Sequence, residues 1–368
     1  MSVDLIPASL YQSLYLLLVT IITLVIYNQY KNRDELYDYE LPPTNMSDIM
    51  LVAFMALFIG LRPLSGHYFG DMANYAEWYK VFFEGVPFVF DRNAENLIFD
   101  NLFAWWGSER LGYTSFFVLF STLYFITSYL GIRKLFPSDS LAAYLVFLAA
   151  FSTFSYSTNG IKAGVAASLF IWAMGYRDNL KICIPLILIS WGFHHSMIMP
   201  VAAFVTTTFV KNTKIYFALW LFCLLMAMGH VTAFAHFFAG ATTEHGASYL
   251  LGDGTSDGTK GGFRLDFIIY SVMPVLVGWY VEFKKQLEVS NMYRNLLNLY
   301  LCLNGIWMLC MYASFTNRIA YLSWFLYPIV LIYPFLQEDW GEDRYQKFSY
   351  VMLAHLGFTL FMNILYYR

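Results

Sequence analysis

SYSTNGIKAGVAASLFIWAMGYRDNLKICIPLILISWGFHHSMIMP, residues 155–200, decides how the chain is read. It holds two apolar runs joined by a tight basic turn, Arg177-Asp178-Asn179-Leu180-Lys181. A lone cation, Lys162, stands at the far end of the first run, behind Ser157-Thr158-Asn159-Gly160. The pair His194-His195, followed by Ser196, stands at the far end of the second. If both runs are spanning helices, the basic turn lies on one membrane face and Lys162 meets the His pair on the other. An inert apolar bundle has no need of a cation, two imidazoles and several hydroxyls at one surface. That surface is the expected site.

The rest of the composition agrees with a membrane setting. Of 368 residues, 59% are hydrophobic and 13% charged, whereas a soluble domain carries about 25% charged residues. Lipid must then be the solvent for much of the surface, and the mean hydropathy of +0.52 says the same. The 20% aromatic content suits interfacial belts. A net charge of -3 without a basic domain argues against a nucleic-acid partner. Cys183, Cys223, Cys302 and Cys310 all fall inside apolar runs, so they read as small packing residues rather than a disulfide framework or zinc site. There is no HExxH or other metal-ligand spacing, no GxSxG elbow and no Ser/His/Asp pattern, so no metal or cofactor is expected. MSVDLIPAS at the start lacks a basic n-region, and the first apolar run is read as a permanent span.

On a template of roughly 20 apolar residues per crossing, the candidate spans are 8–27, 48–64, 113–131, 141–156, 160–176, 180–195, 197–210, 215–236, 265–282, 293–311, 318–336 and 347–366. The expected fold is an all-α polytopic membrane protein of about twelve transmembrane helices, forming a single integral-membrane domain over residues 1–368. Runs 180–195 and 197–210 are short and read as a re-entrant or broken pair around Pro200. Alternate connections carry Lys31 and Arg33, Arg133 and Lys134, Arg177 and Lys181, Lys211 and Lys214, Lys284, Lys285 and Arg294, then Arg344 and Lys347. The positive-inside rule makes that set cytoplasmic and, for an even count, turns both termini outward. Of the two long outward connections, 65–112 shows helix-like spacing around Asp71, Tyr75 and Trp78 and reads as an amphipathic piece in the interface. The other, 237–264, contains GDGTSDGTKGGFR; it lacks the GK[ST] of a P-loop and the spacing of an EF-hand, and reads as a loop over the outer face.

Outward cations run against the positive-inside bias, so each needs a reason. Arg62, Lys80, Arg92, Arg110 and Lys260 lie in the long connections, and Arg368 ends the chain. Lys162, Arg264 and Arg318 each start a helix whose N-terminus faces outward, where free N–H groups and the helix dipole already favour anions. Three such cations make an anion site, against the plainer reading that they snorkel or pair with acids such as Asp266. The expected anion is a phosphate or diphosphate on a lipid carrier, and cations there would stabilise a departing diphosphate. Transfer to a hydroxyl also calls for a general base. The candidates are His194, His195 and Asp71, with Glu77, Glu244 and Asp266 behind them. Trp105-Trp106 reads as an interfacial anchor that could also stack on a sugar ring.

These residues resemble a known family. NGIKAGVAAS at 159–168, HHS at 194–196, GGFRLDF at 261–267, TNRIAY at 316–321 and GDMANY around Asp71 and Tyr75 are similar, in order, to motifs of the EpsG/Wzy-type polysaccharide (O-antigen and exopolysaccharide) polymerases. The resemblance implies a GT-C-like helical bundle with outer-face loops, in the bacterial inner (cytoplasmic) membrane. It implies a membrane glycosyltransferase that joins oligosaccharide repeat units carried on undecaprenyl diphosphate, working beside a flippase and a chain-length regulator. It assigns Lys162, Arg264 and Arg318 to the diphosphate. Asp71, His194 and His195 become catalytic candidates together with the two arginines, and Tyr75, Asn159 and Asp266 candidate sugar contacts. One departure stands out: arginine is expected where this chain has Lys162, and lysine keeps the charge but loses the two-pronged geometry. The competing reading is a lipid-linked oligosaccharide flippase or other transporter, which would bind the same diphosphate without chemistry. Transporters place polar sites near the midplane and show internal repeats, and neither is legible here. A membrane O-acyltransferase would also use a histidine, but the cations then have no purpose.

Overall fold

A computed structural model describes residues 6–33, 46–83, 85–231, 233, 234, 236 and 262–366. The 237–261 part of the outer-face loop, with Glu244, His245 and Lys260, lies outside these residues, as does Arg368. Among the described residues the structure is helical. In chain order the helices are α1 (Tyr11–Lys31), α2 (Met46–Gly60), α3 (Asp71–Phe83), α4 (Leu97–Ser108), α5 (Tyr113–Leu135), α6 (Ser140–Leu148), α7 (Phe151–Thr158), α8 (Ile161–Gly175) and α9 (Leu180–Phe193). There follow α10 (Ile198–Phe209), α11 (Thr213–Met228), α12 (Leu265–Trp279), α13 (Asn291–Leu309), α14 (Thr316–Trp324), α15 (Tyr327–Gln337) and α16 (Arg344–Tyr366).

Each of the twelve expected spans contains a helix, but their lengths differ. Five segments are long and apolar enough to cross a membrane: Ala8–Lys31, Tyr113–Leu135, Leu265–Lys285, Thr316–Gln337 and Arg344–Leu365. A sixth is the pair α6 and α7, bent by 75°. Helices α2, α8, α9, α10 and α11 have 12 to 16 residues, which at 1.5 Å per residue reach about 18–24 Å against about 30 Å of hydrocarbon. The long helices expose apolar side chains such as Leu17, Ile21 and Val25 of α1, as expected where lipid is the solvent. The chain is thus a polytopic helical membrane protein; among the described residues five helices, or six with the bent pair, have the length and hydropathy of a full crossing, against about twelve expected.

The chain divides into two compact units, Met1–Ile198 with Gly341–Arg368, and Met199–Trp340. In the first, α2, α8 and α5 pack together, and α1 packs on α16. The start of α2, the end of α5 and the loop before α6 meet in a polar network. Tyr129 and Ser140 donate to Asp48 (2.8 and 3.0 Å), and Tyr30 and Arg33 donate to Asp139 (2.6 and 2.8 Å). Lys134 lies 5.2 Å from the Tyr176 ring beside the 177–181 turn. The first three basic connections therefore share one end of this unit, and the 62–71, 159–162 and 194–196 segments lie at the other ends of the same helices.

The expected break at Pro200 is not where the chain breaks. Pro200 sits in the first turn of α10, where the missing N–H costs nothing. The chain leaves helical geometry at His194 (φ -151°, ψ 120°). A second break, at Ala149–Ala150, divides the expected 141–156 span. Two carbonyls there are taken up by distant side chains, Val146 by His355 Nε2 (3.0 Å) and Leu148 by the Tyr15 hydroxyl (2.6 Å), while Phe147 O accepts both the Ala150 N–H (3.1 Å) and Thr153 Oγ1 (2.6 Å). Broken helices survive at membrane depth only with such partners. Replacing Tyr15 with phenylalanine orphans the Leu148 carbonyl, and we expect a loss of about 1–3 kcal/mol in detergent unfolding. A change under about 0.5 kcal/mol would show that the carbonyl is otherwise satisfied.

The second unit is built around α14 and α15, which are almost wholly buried, with α11 and α13 packed together beside them. Buried amides tie the helices: Asn304 accepts from Trp220 Nε1 (2.9 Å) and donates to Ser323 (3.1 Å).

Candidate functional site

In the first unit the expected site residues assemble around α4, which lies inside the long 65–112 connection. Asn96 caps α4. It is buried, and its backbone N–H donates to Asp100 (2.9 Å). Its Oδ1 accepts the backbone N–H of His195 (3.0 Å). Gly192 makes this approach possible: a Cβ there would stand 2.6 Å from Ile98 of α4. One turn on from Asn96, the buried Phe99 packs against Tyr75 (5.7 Å between centroids) and lies under Lys162 Nζ (5.6 Å). Lys162 is the second residue of α8 and is half-buried, and among the described residues it forms no ion pair. The 195–197 turn packs against α8. Lys162, Tyr75 and the His pair thus share one neighbourhood.

Asp71 and Asn159 belong to the same end. Asp71 opens α3. A Cβ on the preceding Gly70 would stand 3.6 Å from Asn159 Oδ1, an oxygen that is itself buried without a hydrogen bond. The α7–α8 hairpin that presents Asn159 is tight because Gly164 lets α8 close on α7: a Cβ there would be 2.5 Å from the Tyr156 carbonyl. Arg62 fixes the hairpin from below, with Nη1 donating to Ile59 O and Nη2 to Thr158 O, both at 2.7 Å. It is 3% exposed and lies over the rings of Phe69 and Phe117.

The imidazoles are held differently. His194 Nδ1 accepts the backbone N–H of Ser196 (3.2 Å) and lies 2.6 Å from its hydroxyl. His195 Nδ1 lies 3.4 Å from Asn96 Oδ1 and 3.4 Å from Glu95 Oε1. The rings are stacked, 5.2 Å apart and 15° from parallel. Glu77, an expected reserve base, instead pairs with Lys80 (2.6 Å) on the exposed face of α3.

In the second unit Arg264 caps the start of α12, and Arg318 is the third residue of α14. With Lys162, all three cations expected at helix N-termini are found there. Arg264 grips Asp266 with two prongs, Nε to Oδ1 at 2.9 Å and Nη2 to Oδ2 at 2.5 Å, and lies 3.7 Å from the Phe267 ring centre. Phe267 packs on Trp307, whose indole N–H donates to Thr316 two residues before Arg318. The two arginines therefore stand on linked helix starts. Arg318 is exposed and lies 4.9 Å from the Phe315 ring. Phe315 has φ 51°, ψ 38°, a left-handed conformation that a bulky side chain adopts only under constraint; such strain gathers at functional sites.

Arg62 had counted only as one more outward cation, and Glu95 and Asn96 had no assigned role. Asn96 did carry a signal: an amide before an apolar run, with an acid four residues on, marks a helix start.

No curated protein and no solved structure matches the chain. The EpsG family model matches it over residues 45–367, a range that contains every candidate site residue placed above. With a family match that spans most of its length, this multi-pass membrane protein belongs to the EpsG family, a family associated with polysaccharide-polymerase roles.

Proposed function

We propose that the protein is a glycosyltransferase of the bacterial inner membrane that polymerises oligosaccharide repeat units carried on undecaprenyl diphosphate, acting at the outer face within a GT-C-like bundle. The observation that carries this reading is the placing of Lys162, Arg264 and Arg318 in the first turn or cap of three separate helices. Helix N-termini and cations act together on anions, and a lipid diphosphate leaving a sugar is an anion whose charge grows as the bond breaks. Asp71, Tyr75, Asn159 and the His pair lie near Lys162 as acceptor-side and sugar-binding groups. Asp266, held by Arg264, does the same for the second unit.

The test is incubation of the purified protein with the repeat unit extracted on its lipid from a strain lacking this protein, read as a ladder on a gel. Arg318 is exposed, so Arg318→Ala should insert normally and yet shorten the ladder to its first rungs. Ladders of normal length from that variant would remove the diphosphate assignment. In cells, the deletion strain should accumulate single lipid-linked units on the outside; accumulation inside would make the protein a flippase.

A further inference from the structure

We infer that His194 and His195 are locked in opposite tautomers, that His195 is the base which takes the acceptor's proton, and that Glu95 is the residue that positions it. This deepens the polymerase reading and rests on it.

The hydrogen bonds assign the protons. A backbone N–H can only donate, so His194 Nδ1, which accepts from Ser196 N–H, carries no proton. A neutral His194 then carries it on Nε2 and is a donor there. Asn96 is fixed by the same logic: its oxygen must face the His195 backbone N–H, because the flipped amide would set donor against donor. His195 Nδ1 therefore faces two acceptors, that oxygen and the Glu95 carboxylate, each at 3.4 Å. It must carry the proton, which leaves the lone pair on Nε2. Of the two stacked rings, one thus keeps an acceptor nitrogen and the other a donor nitrogen, the two functions needed by a sugar hydroxyl that must lose its proton while its oxygen is held.

The carboxylate behind Nδ1–H orients the ring and stabilises the imidazolium that forms, the role an acid plays behind a histidine base. In the step, the acceptor hydroxyl oxygen bonds to the anomeric carbon of the lipid-linked chain as the bond from that carbon to the phosphate oxygen breaks. The electron pair leaves with the lipid diphosphate. The hydroxyl proton passes to His195 Nε2 and then to solvent, restoring the neutral ring.

Amide side chains separate the roles, because asparagine places its NH2 near the Nδ1 position and glutamine near Nε2. At His194, glutamine should retain clearly more turnover than asparagine. At His195, both should lower kcat by about 10^2–10^4-fold, since neither is a base. Glu95→Gln should lower kcat of order ten-fold with KM unchanged, as loss of one nearby opposite charge implies, and Glu95→Asp should recover part of it. Equal losses at both histidines, or a Glu95→Gln effect confined to KM, would overturn the assignment.

A second measurement is independent of turnover. In protein labelled with 15N-histidine, above the imidazole's ordinary pKa of about 6.5, His194 should show its proton on Nε2 and His195 on Nδ1. The signals are assigned by their loss in His194→Gln and His195→Asn. The same tautomer at both positions would overturn the inference. Correct tautomers in a protein that makes no ladder would count against the polymerase reading and leave the tautomer assignment standing.

Discussion

Replacing Arg62 with methionine should cost the first unit about 1–3 kcal/mol. Its two prongs serve the Ile59 and Thr158 carbonyls at 2.7 Å, in the last turns of α2 and α7; Ile59 O also accepts the Arg62 backbone N–H (3.4 Å), so the Thr158 carbonyl is the one that depends on the side chain. A buried acceptor left orphaned, as Thr158 O would be, costs about 1–3 kcal/mol. Among the described residues no carboxylate pairs with Arg62. The negative ends of two helix dipoles take the place of a counterion, and the rings of Phe69 and Phe117 cover its faces. A lysine there can serve one carbonyl but not both, so Arg62→Lys should recover only part of the loss. Unfolding in mixed micelles titrated with SDS measures this, and a loss under about 1 kcal/mol for methionine would show that the carbonyls find other donors. The consequence reaches function through Thr158, because the next residues are Asn159, Gly160 and, two further on, Lys162.

Much of this arrangement was legible locally. Apolar runs become helices whatever surrounds them, and a cation beside Gly160 or Phe263 announces a helix start before the fold is known. Periodicity around Asp71, Tyr75 and Trp78 found α3, with Tyr75 buried and Trp78 exposed as an amphipathic helix requires. Helix length was not legible, because hydropathy measures the length of an apolar run and not where its helix ends. The Ala149–Ala150 break has no proline or glycine to mark it. It is stabilised by Tyr15 and His355, 133 and 209 residues from the carbonyls they serve. Proline misled in the other direction: Pro185, Pro274 and Pro334 lie inside helices, and Pro200 lies in the first turn of one.

The site divides along the same line. Which residues carry charge near a helix end is a local fact. Which nitrogen of a histidine carries the proton is not, since the Asn96 and Glu95 that decide it for His195 lie about a hundred residues away in the chain, 99 for Asn96. The histidine pair could be singled out from its neighbours alone, but its division of labour depends on α4 docking at Gly192, a contact only the folded chain supplies.

Arg264→Ala should lower the rate of ladder formation by about 10^2–10^3-fold, the usual loss when a preorganised group that stabilises developing charge is removed. Preorganisation is visible in the structure. Asp266 holds two of the guanidinium nitrogens, Phe267 lies against its face at 3.7 Å, and its backbone N–H points to Met311 Sδ at 3.2 Å. A side chain held this way loses little further freedom when an anion arrives, and its charge adds to the positive end of α12. Arg264→Lys tests whether charge alone is enough. Lysine is a point charge on a flexible stem and cannot take both Asp266 oxygens in the same geometry, so most of the loss should persist. Asp266→Asn should cost less than either, because the arginine keeps its charge and loses only part of its anchorage. The order alanine, lysine, asparagine in severity therefore separates a cation that acts on substrate from one that merely neutralises its neighbour: a structural ion pair would make Asp266→Asn at least as harmful as Arg264→Ala. Arg264 is buried, so rates must be compared at matched amounts of monodisperse protein, and an alanine variant retaining more than about a third of the wild-type rate would be incompatible with the electrostatic role.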